Sequence, residues 1–149
     1  MKNQKGITLI ALVITIIVLL ILAGISIAML AGDNGVLNKA SDSKIVSALG
    51  TKKDEVNLAA AEGLSDYYEA VYVNNTTTSA YNNSELATAI QNRISARVQS
   101  DADITVEVSN YTITLTSIAK PSLKTTGTIN SGSTGAGSIT WVDEFKTAQ

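Results

Sequence analysis

Residues 7–31 read ITLIALVITIIVLLILAGISIAMLA, and 16 of these 25 are Ile, Leu or Val, with no charge among them. Each such side chain favours a bilayer centre by about 0.3 to 0.6 kcal/mol, and about 20 apolar residues reach across the hydrocarbon. The run therefore predicts a membrane-spanning helix. Thr8, Thr15 and Ser26 interrupt it only mildly, because a helical hydroxyl returns its proton to a carbonyl one turn back. Lys2 and Lys5 precede the run, and Asp33 is the first charge after it. Under the positive-inside rule the N-terminus stays in the cytoplasm and everything from Asp33 onward is exported. A cleaved secretory peptide has an apolar core of only about 7–15 residues ending at a small-x-small site. Here the run is longer, and Ala28-Met29-Leu30-Ala31 has the wrong spacing.

Removing the first 32 of 149 residues leaves 117, enough for one small domain with a modest core. Its chemistry is narrow. The chain has no Cys and no His, which excludes disulfides, thiolate metal sites, Cys nucleophiles, the Ser-His-Asp triad and every His-containing zinc motif. Eleven Lys and Arg against 13 Asp and Glu leave a net charge of −2, and only seven residues are aromatic. Neither phosphate neutralisation nor base stacking is supplied, so nucleic acid is not expected as a partner. No spacing of carboxylates or of Ser with Lys nominates a catalytic cleft. The expectation is a chain that is not an enzyme and that needs no cofactor and no metal.

The residues at the start of the apolar run carry a resemblance. Lys5-Gly6 followed directly by Ile7-Thr8-Leu9-Ile10 and a long apolar helix resembles the N-terminus of type IV pilins and pseudopilins. The resemblance covers about the first 60 residues. In that family a short basic leader ends in Gly, a membrane prepilin peptidase cuts after it, and the new N-terminal residue is methylated. Carried over by position, the resemblance implies a leader at 1–6 with Lys2 and Lys5 as its basic residues. Cleavage then falls between Gly6 and Ile7, with N-methylation of Ile7, and residues 7–31 serve as both membrane and assembly helix. Two positions depart from the family pattern. The family's usual first mature Phe is Ile7 here, and its usual Glu at the fifth mature position is Ala11. That Glu is held to pair with the N-terminal amine of a neighbouring subunit.

Residues 32–149 form the exported head. Gly32-Asp33-Asn34-Gly35 is rich in turn formers and predicts a break after the membrane helix. Leu37, Ser41, Ile45, Leu49, Val56 and Ala60 then recur near one helical face. They predict an amphipathic helix over 36–62, closed by Gly63 as a C-cap. Residues 67–73 (YYEAVYV) read either as a strand or as a last helical turn. Leu86, Ile90, Ile94 and Val98, with Asn82 and Glu85 spaced as a capping pair, predict a second helix of about 15 residues. Ile104, Val106 and Val108, then Tyr111, Ile113 and Leu115, alternate with polar residues and predict a β-hairpin turning at Ser109-Asn110. Pro121 ends that pattern. Residues 122–138, rich in Thr, Ser and Gly, read as a surface loop. Residues 138–145 (SITWVDEF) supply a closing strand anchored in the core by Trp141. The fold class is α+β: a long N-terminal helix, half transmembrane and half amphipathic, packed on a small antiparallel sheet with one further helix.

Other sequence features have ordinary explanations. Asp101 and Asp103 offer two oxygens where Ca²⁺ takes six to eight ligands, so a turn before a strand explains them better. Lys44, Lys52 and Lys53 are offset by Asp42, Asp54 and Glu55. Arg93 and Arg97 read as a solvated flank, and Tyr67, Tyr68 and Tyr72 as core packing. The triplets at Asn75 and Asn110 match the N-glycosylation pattern but follow equally from a polar surface. Gly24, Ala28 and Gly32, at a spacing of four, place small residues on one helical face where a neighbouring helix can approach closely.

These readings combine into one expectation: a prepilin-like structural subunit. After leader removal it assembles through its N-terminal helix into a type IV pilus-like filament. Its expected partners are prepilin peptidase, the membrane, other pilin subunits and the pilus assembly machinery. It would be a single-pass protein of the cytoplasmic membrane with an exported head, and then part of a cell-surface filament. Two alternatives remain open from sequence. One is a pseudopilin of a type II secretion or DNA-uptake apparatus. The other is an anchored extracellular binding module that never assembles.

Overall fold

A computed structural model describes residues 4–32, 35–73, 82–132 and 135–145. The elements are α1 (Gln4–Ala31), α2 (Val36–Tyr68) continuing into a π-helical turn at Glu69–Val73, α3 (Asn83–Arg97), β1 (Ile104–Ser109), β2 (Thr112–Ser117), β3 (Leu123–Ile129) and β4 (Ile139–Phe145). This is the expected α+β class. The chain divides into two compact units, one within Met1–Ser43 and one within Lys44–Thr147.

In the first unit α1 is helical throughout and exposed along its whole described surface. Thr15 Oγ1 donates to the Leu12 carbonyl at 2.7 Å and Ser26 Oγ to the Leu22 carbonyl at 2.8 Å. Its hydroxyl protons are thus satisfied within the helix, as a lipid-facing segment requires. Of the expected turn at 32–35, Asp33 and Asn34 lie outside the described residues. The N–H of Gly32 still donates to Ala28, and that of Gly35 to the Gly32 carbonyl.

In the second unit the amphipathic helix does not stop at Gly63, as sequence predicts, but runs on to Tyr68. Gly63 is buried and serves close approach to α3, not a left-handed C-cap. Residues 67–73 are helical, so the strand reading of that stretch is also corrected. Tyr67 is buried and holds the next element: its hydroxyl accepts from the Asn82 N–H at 2.9 Å and donates to the Asn82 carbonyl at 3.2 Å. The buried face of α2 is Leu49, Lys52, Val56, Ala59, Ala60, Gly63 and Tyr67. Leu37 and Ser41, expected on this face, are exposed.

Helix α3 agrees with its sequence signature. Asn82 is the N-cap, accepting from the Ser84 N–H at 2.9 Å, and Leu86, Ile90, Ile94 and Val98 are all buried.

The four strands form an antiparallel meander in the order β1-β2-β3-β4. The first hairpin turns one residue later than predicted. Ser109 pairs with Thr112, which makes Asn110 and Tyr111 the turn, at φ 50° and 61°. A tyrosine is an unusual left-handed residue. Here Gln91 of α3 accepts its N–H at 2.8 Å, and its hydroxyl lies 3.2 Å from that of Thr88.

The larger correction is β3. Residues 123–129 were expected in a surface loop and instead form an interior strand, paired on both sides. Leu123, Thr125, Gly127 and Ile129 face inward, while Lys124, Thr126 and Thr128 face out. Gly127 leaves a gap in the inward row, which the Trp141 ring and Ile139 of β4 fill. A strand that cedes its space to neighbouring side chains loses its apolar signature. The true loop is shorter, between β3 and β4. The core gathers Leu49 and Val56 of α2, Leu86, Ile90 and Ile94 of α3, Ile113 and Leu115 of β2, and Leu123 of β3.

Candidate functional site

The residues singled out from sequence lie on α1. Lys2 lies outside the described residues. The backbones of Lys5, Gly6 and Ile7 lie in the opening turns of α1, whose helical range begins at Gln4. Ala11 is exposed, and with Thr8, Leu9, Leu12 and Thr15 it lines a shallow notch. The notch exists because a methyl group stands between two hydroxyl-bearing residues one turn away on either side. Gly24 and Ala28 are exposed one turn apart, and a Cβ placed on Gly24 meets nothing within 4 Å. Gly32, the third small residue named from sequence, lies just past the end of α1 and is half-buried, and a Cβ on it would stand 2.7 Å from the Ala28 carbonyl oxygen.

The apolar surface sets what α1 can do. An 18-residue window reaches a mean hydropathy of 3.2, and none of it is buried within the chain. By length and composition this is a helix able to cross a membrane, and the described residues contain one such helix. At 1.5 Å per residue, residues 7–31 extend about 37 Å against a hydrocarbon core of about 30 Å. No Asp, Glu, Lys or Arg occurs between Gly6 and Gly32. The segment therefore has a large drive to leave water but no ionic group with which to choose a partner helix.

The polar groups of the head are used structurally. Buried Lys52 bridges Glu55 and Asp101, each at 3.0 Å. Burial works against its charge, but the two carboxylates outweigh that and hold its pKa above the ordinary 10.5. Asp101 accepts the N–H groups of Asp103 and Ile104 at 2.9 and 2.8 Å, closing the turn that starts β1. The Asp103 N–H and then Lys52 hold its carboxyl below the ordinary 3.8. This is the turn before a strand that the sequence predicts at Asp101-Ala102-Asp103. Among the described residues no cluster of three or more potential metal ligands occurs.

A second cluster joins α2 to β4 and was not legible in sequence. Lys53 pairs with Asp143 at 2.9 Å and stands 5.2 Å from the centre of the Trp141 ring. The Trp141 indole N–H donates to Asn57 at 3.0 Å. Thr125 and then Lys53 lower the pKa of Asp143. Trp141 is therefore a half-buried strut between sheet and helix, not a fully buried anchor. Arg93 and Arg97, expected as a solvated flank, both reach Glu62 of α2, and Arg93 also approaches Asp66 at 3.7 Å. Spacing within α3 shows where these arginines stand, but their partners lie 31 and 35 residues away. Of the three tyrosines, Tyr67 is core, whereas Tyr68 and Tyr72 are exposed. The triplet at Asn75 lies outside the described residues.

Comparison with known proteins bears on the site just described. A family model described as the prokaryotic N-terminal methylation motif matches residues 1–27. No curated protein and no solved structure matches the chain. The match spans residues 1–6, the Gly6-Ile7 bond and most of the exposed apolar surface of α1. The chain thus carries, at residues 1–27, the prepilin-type N-terminal signal of type IV pilins and pseudopilins.

Proposed function

We propose that this chain is a structural prepilin, cut after Gly6, methylated on Ile7 and assembled through α1 into a type IV pilus-like filament with its head outside the cell. One observation carries the reading: the methylation motif at residues 1–27 falls on an uncovered apolar helix, and a separately compact unit starts at Lys44. In lipid such a surface is satisfied, and apolar area alone gives helices little reason to associate. Close packing at Gly24 and Ala28 supplies part of that reason, because small residues let backbones approach. The Gly6 junction, the basic leader residues Lys2 and Lys5, and the packing role of Gly24, Ala28 and Gly32 are parts of this proposal. So are prepilin peptidase as the processing partner and the inward N-terminus. The head has the role of a spacer and surface, not of a catalyst.

The test is intact-mass measurement and N-terminal sequencing of the protein from its native cells. A chain beginning with N-methyl-Ile7 is the expected result. A chain beginning at Met1 makes it an anchored module, and one beginning near Asp33 makes it a secreted protein.

A further inference from the structure

The joint between α1 and α2 lies within the first compact unit and is fastened by its own groups. The Gly32 carbonyl accepts twice, from the Gly35 N–H at 2.6 Å and from the Asn38 side-chain amide at 3.1 Å. The Gly35 carbonyl accepts the Lys39 N–H at 3.1 Å. Gly35 is buried against the last carbonyls of the joint: a Cβ on it would stand 2.5 Å from the Leu30 oxygen and 2.7 Å from that of Gly32. The first turn of α2 is thus held by the end of α1. That turn is apolar and bare on one side. Val36 is 69% exposed and Leu37 58% exposed, and Ala40, one turn on, is exposed too. At 3.6 residues per turn the three share about 100° of the helix surface, with exposed Lys39 and Ser41 on its flanks. None of the three belongs to the core of the head.

Their position along the chain decides what meets this face. Residues 7–31 extend about 37 Å, about 7 Å more than the hydrocarbon core, and an overlong apolar helix takes up such an excess by tilting. Tilt brings Gly32 down to the hydrocarbon boundary. The headgroup layer beyond that boundary is about 5–7 Å deep. Val36 and Leu37 follow within a turn, tied back to α1 by the bonds at Gly32 and Gly35, and so stand at headgroup depth. At that depth an apolar sector can rest on the acyl chains while a flanking lysine keeps its charge among the phosphates. We propose that Val36, Leu37 and Ala40 are a lipid-seated foot, lying in the headgroup layer of the leaflet from which α1 emerges, with Lys39 at the phosphates. The inference rests on the membrane reading of α1 and adds to it a lipid contact outside the spanning segment. It involves the first compact unit alone.

Because the chain has no Cys, one introduced thiol takes one label. Leu37→Cys, Ser41→Cys and, at the middle of α1, Leu19→Cys are all exposed positions. Each full-length variant is labelled with an environment-sensitive fluorophore and reconstituted at low density in vesicles of phosphatidylcholine and phosphatidylglycerol. The vesicles carry a nitroxide either close to the headgroups or near the bilayer centre. The Leu37 label is expected to emit to the blue of its position in water and to be quenched more by the shallow nitroxide than by the deep one. The Leu19 label should show the reverse order, and the Ser41 label should stay open to aqueous iodide. Val36→Cys repeats the measurement where Leu37→Cys yields too little protein. A Leu37 label that emits as in water, beside a deeply quenched Leu19 label, overturns the foot and leaves the spanning helix intact. A Leu19 label open to iodide overturns both. A Leu37 label shifted to the blue but untouched by either nitroxide means that protein covers the face, and also overturns the foot. So does a Ser41 label quenched as strongly as that at Leu37, since the fluorophore and not the face would then be entering lipid.

Discussion

Gly63 of α2 lies directly against the backbone of Ile90 in α3: a Cβ added to Gly63 would stand 2.9 Å from the Ile90 Cα and 3.1 Å from the Arg93 Cβ. The two helices meet at a point where neither has side-chain volume to yield. Gly63→Ala must push them apart, although alanine is the better helix former by about 1 kcal/mol. Overpacking of this kind costs about 1–3 kcal/mol. We expect a net loss of stability, read as a lower unfolding temperature of the full chain in detergent. An unchanged or raised midpoint would show that the helices separate freely.

The contact between Gly127 and Trp141 makes a second case with an optical readout. A Cβ on Gly127 would fall 2.8 Å from a Trp141 ring carbon. Gly127→Ala should tilt the ring and break its hydrogen bond to Asn57, at a cost of about 1–3 kcal/mol. Trp141 is the one tryptophan of the chain, so its fluorescence reports the displacement without ambiguity. An emission maximum identical to that of the unaltered protein would refute the prediction.

The acid side of the stability profile should be set partly by Asp101 and Asp143. Both carboxyls are held below their ordinary value of 3.8 in the fold. Their contribution is fully present above the unfolded value and is lost as pH falls through the folded one. Lys52 has the opposite sign: its raised value keeps its contribution below 10.5 and loses it as pH rises further. Denaturation midpoints should therefore be flat through the neutral range and fall at both extremes. Asp101→Asn retains an acceptor oxygen for the turn but loses the charge opposite Lys52. It should lower stability by about 1 kcal/mol at neutral pH and flatten the acid limb. A full acid limb in this variant would assign it to other groups.

Processing supplies a prediction about Gly6. With Gly6→Ala the precursor should accumulate with Met1 at its N-terminus, because the residue at the cut must fit the peptidase closely. Normal maturation by mass measurement would remove Gly6 from the cleavage signal.

Ala11 bears on assembly. With no acidic residue between Gly6 and Gly32, an N-terminal ammonium buried among apolar helices lacks a carboxylate partner. Such unpaired burial is costly. Ala11→Glu places a carboxylate one turn along α1 and should preserve or raise filament yield, counted by electron microscopy. Complete loss of filaments would mean that the notch beside Thr8 and Thr15 must stay uncharged.

Local sequence determined every element whose character is set by its own period. The apolar run at 7–31 is decided by transfer free energy alone, which is additive along the chain. Helix α3 was legible down to its Asn82 cap because its four buried residues and its cap all lie within one segment. The β1–β2 hairpin was legible in its alternation but not in its turn. Tyr111 takes a left-handed conformation that only Gln91 and Thr88, on another element, make worthwhile.

Tertiary structure decided the rest. Gly63 and Gly127 read as breakers in one dimension and are packing residues in three, because what they accommodate, Ile90 and Trp141, is distant in sequence. Residues 123–129 looked like a loop because a strand filled by its neighbours' side chains needs few of its own. The ion pairs of Lys53 with Asp143 and of Glu62 with Arg93 and Arg97 join charges that sequence could place only on separate faces. Close approach and long-range pairing depend on the folded path of the whole chain, whereas membrane insertion and helix capping depend only on neighbours within a turn or two.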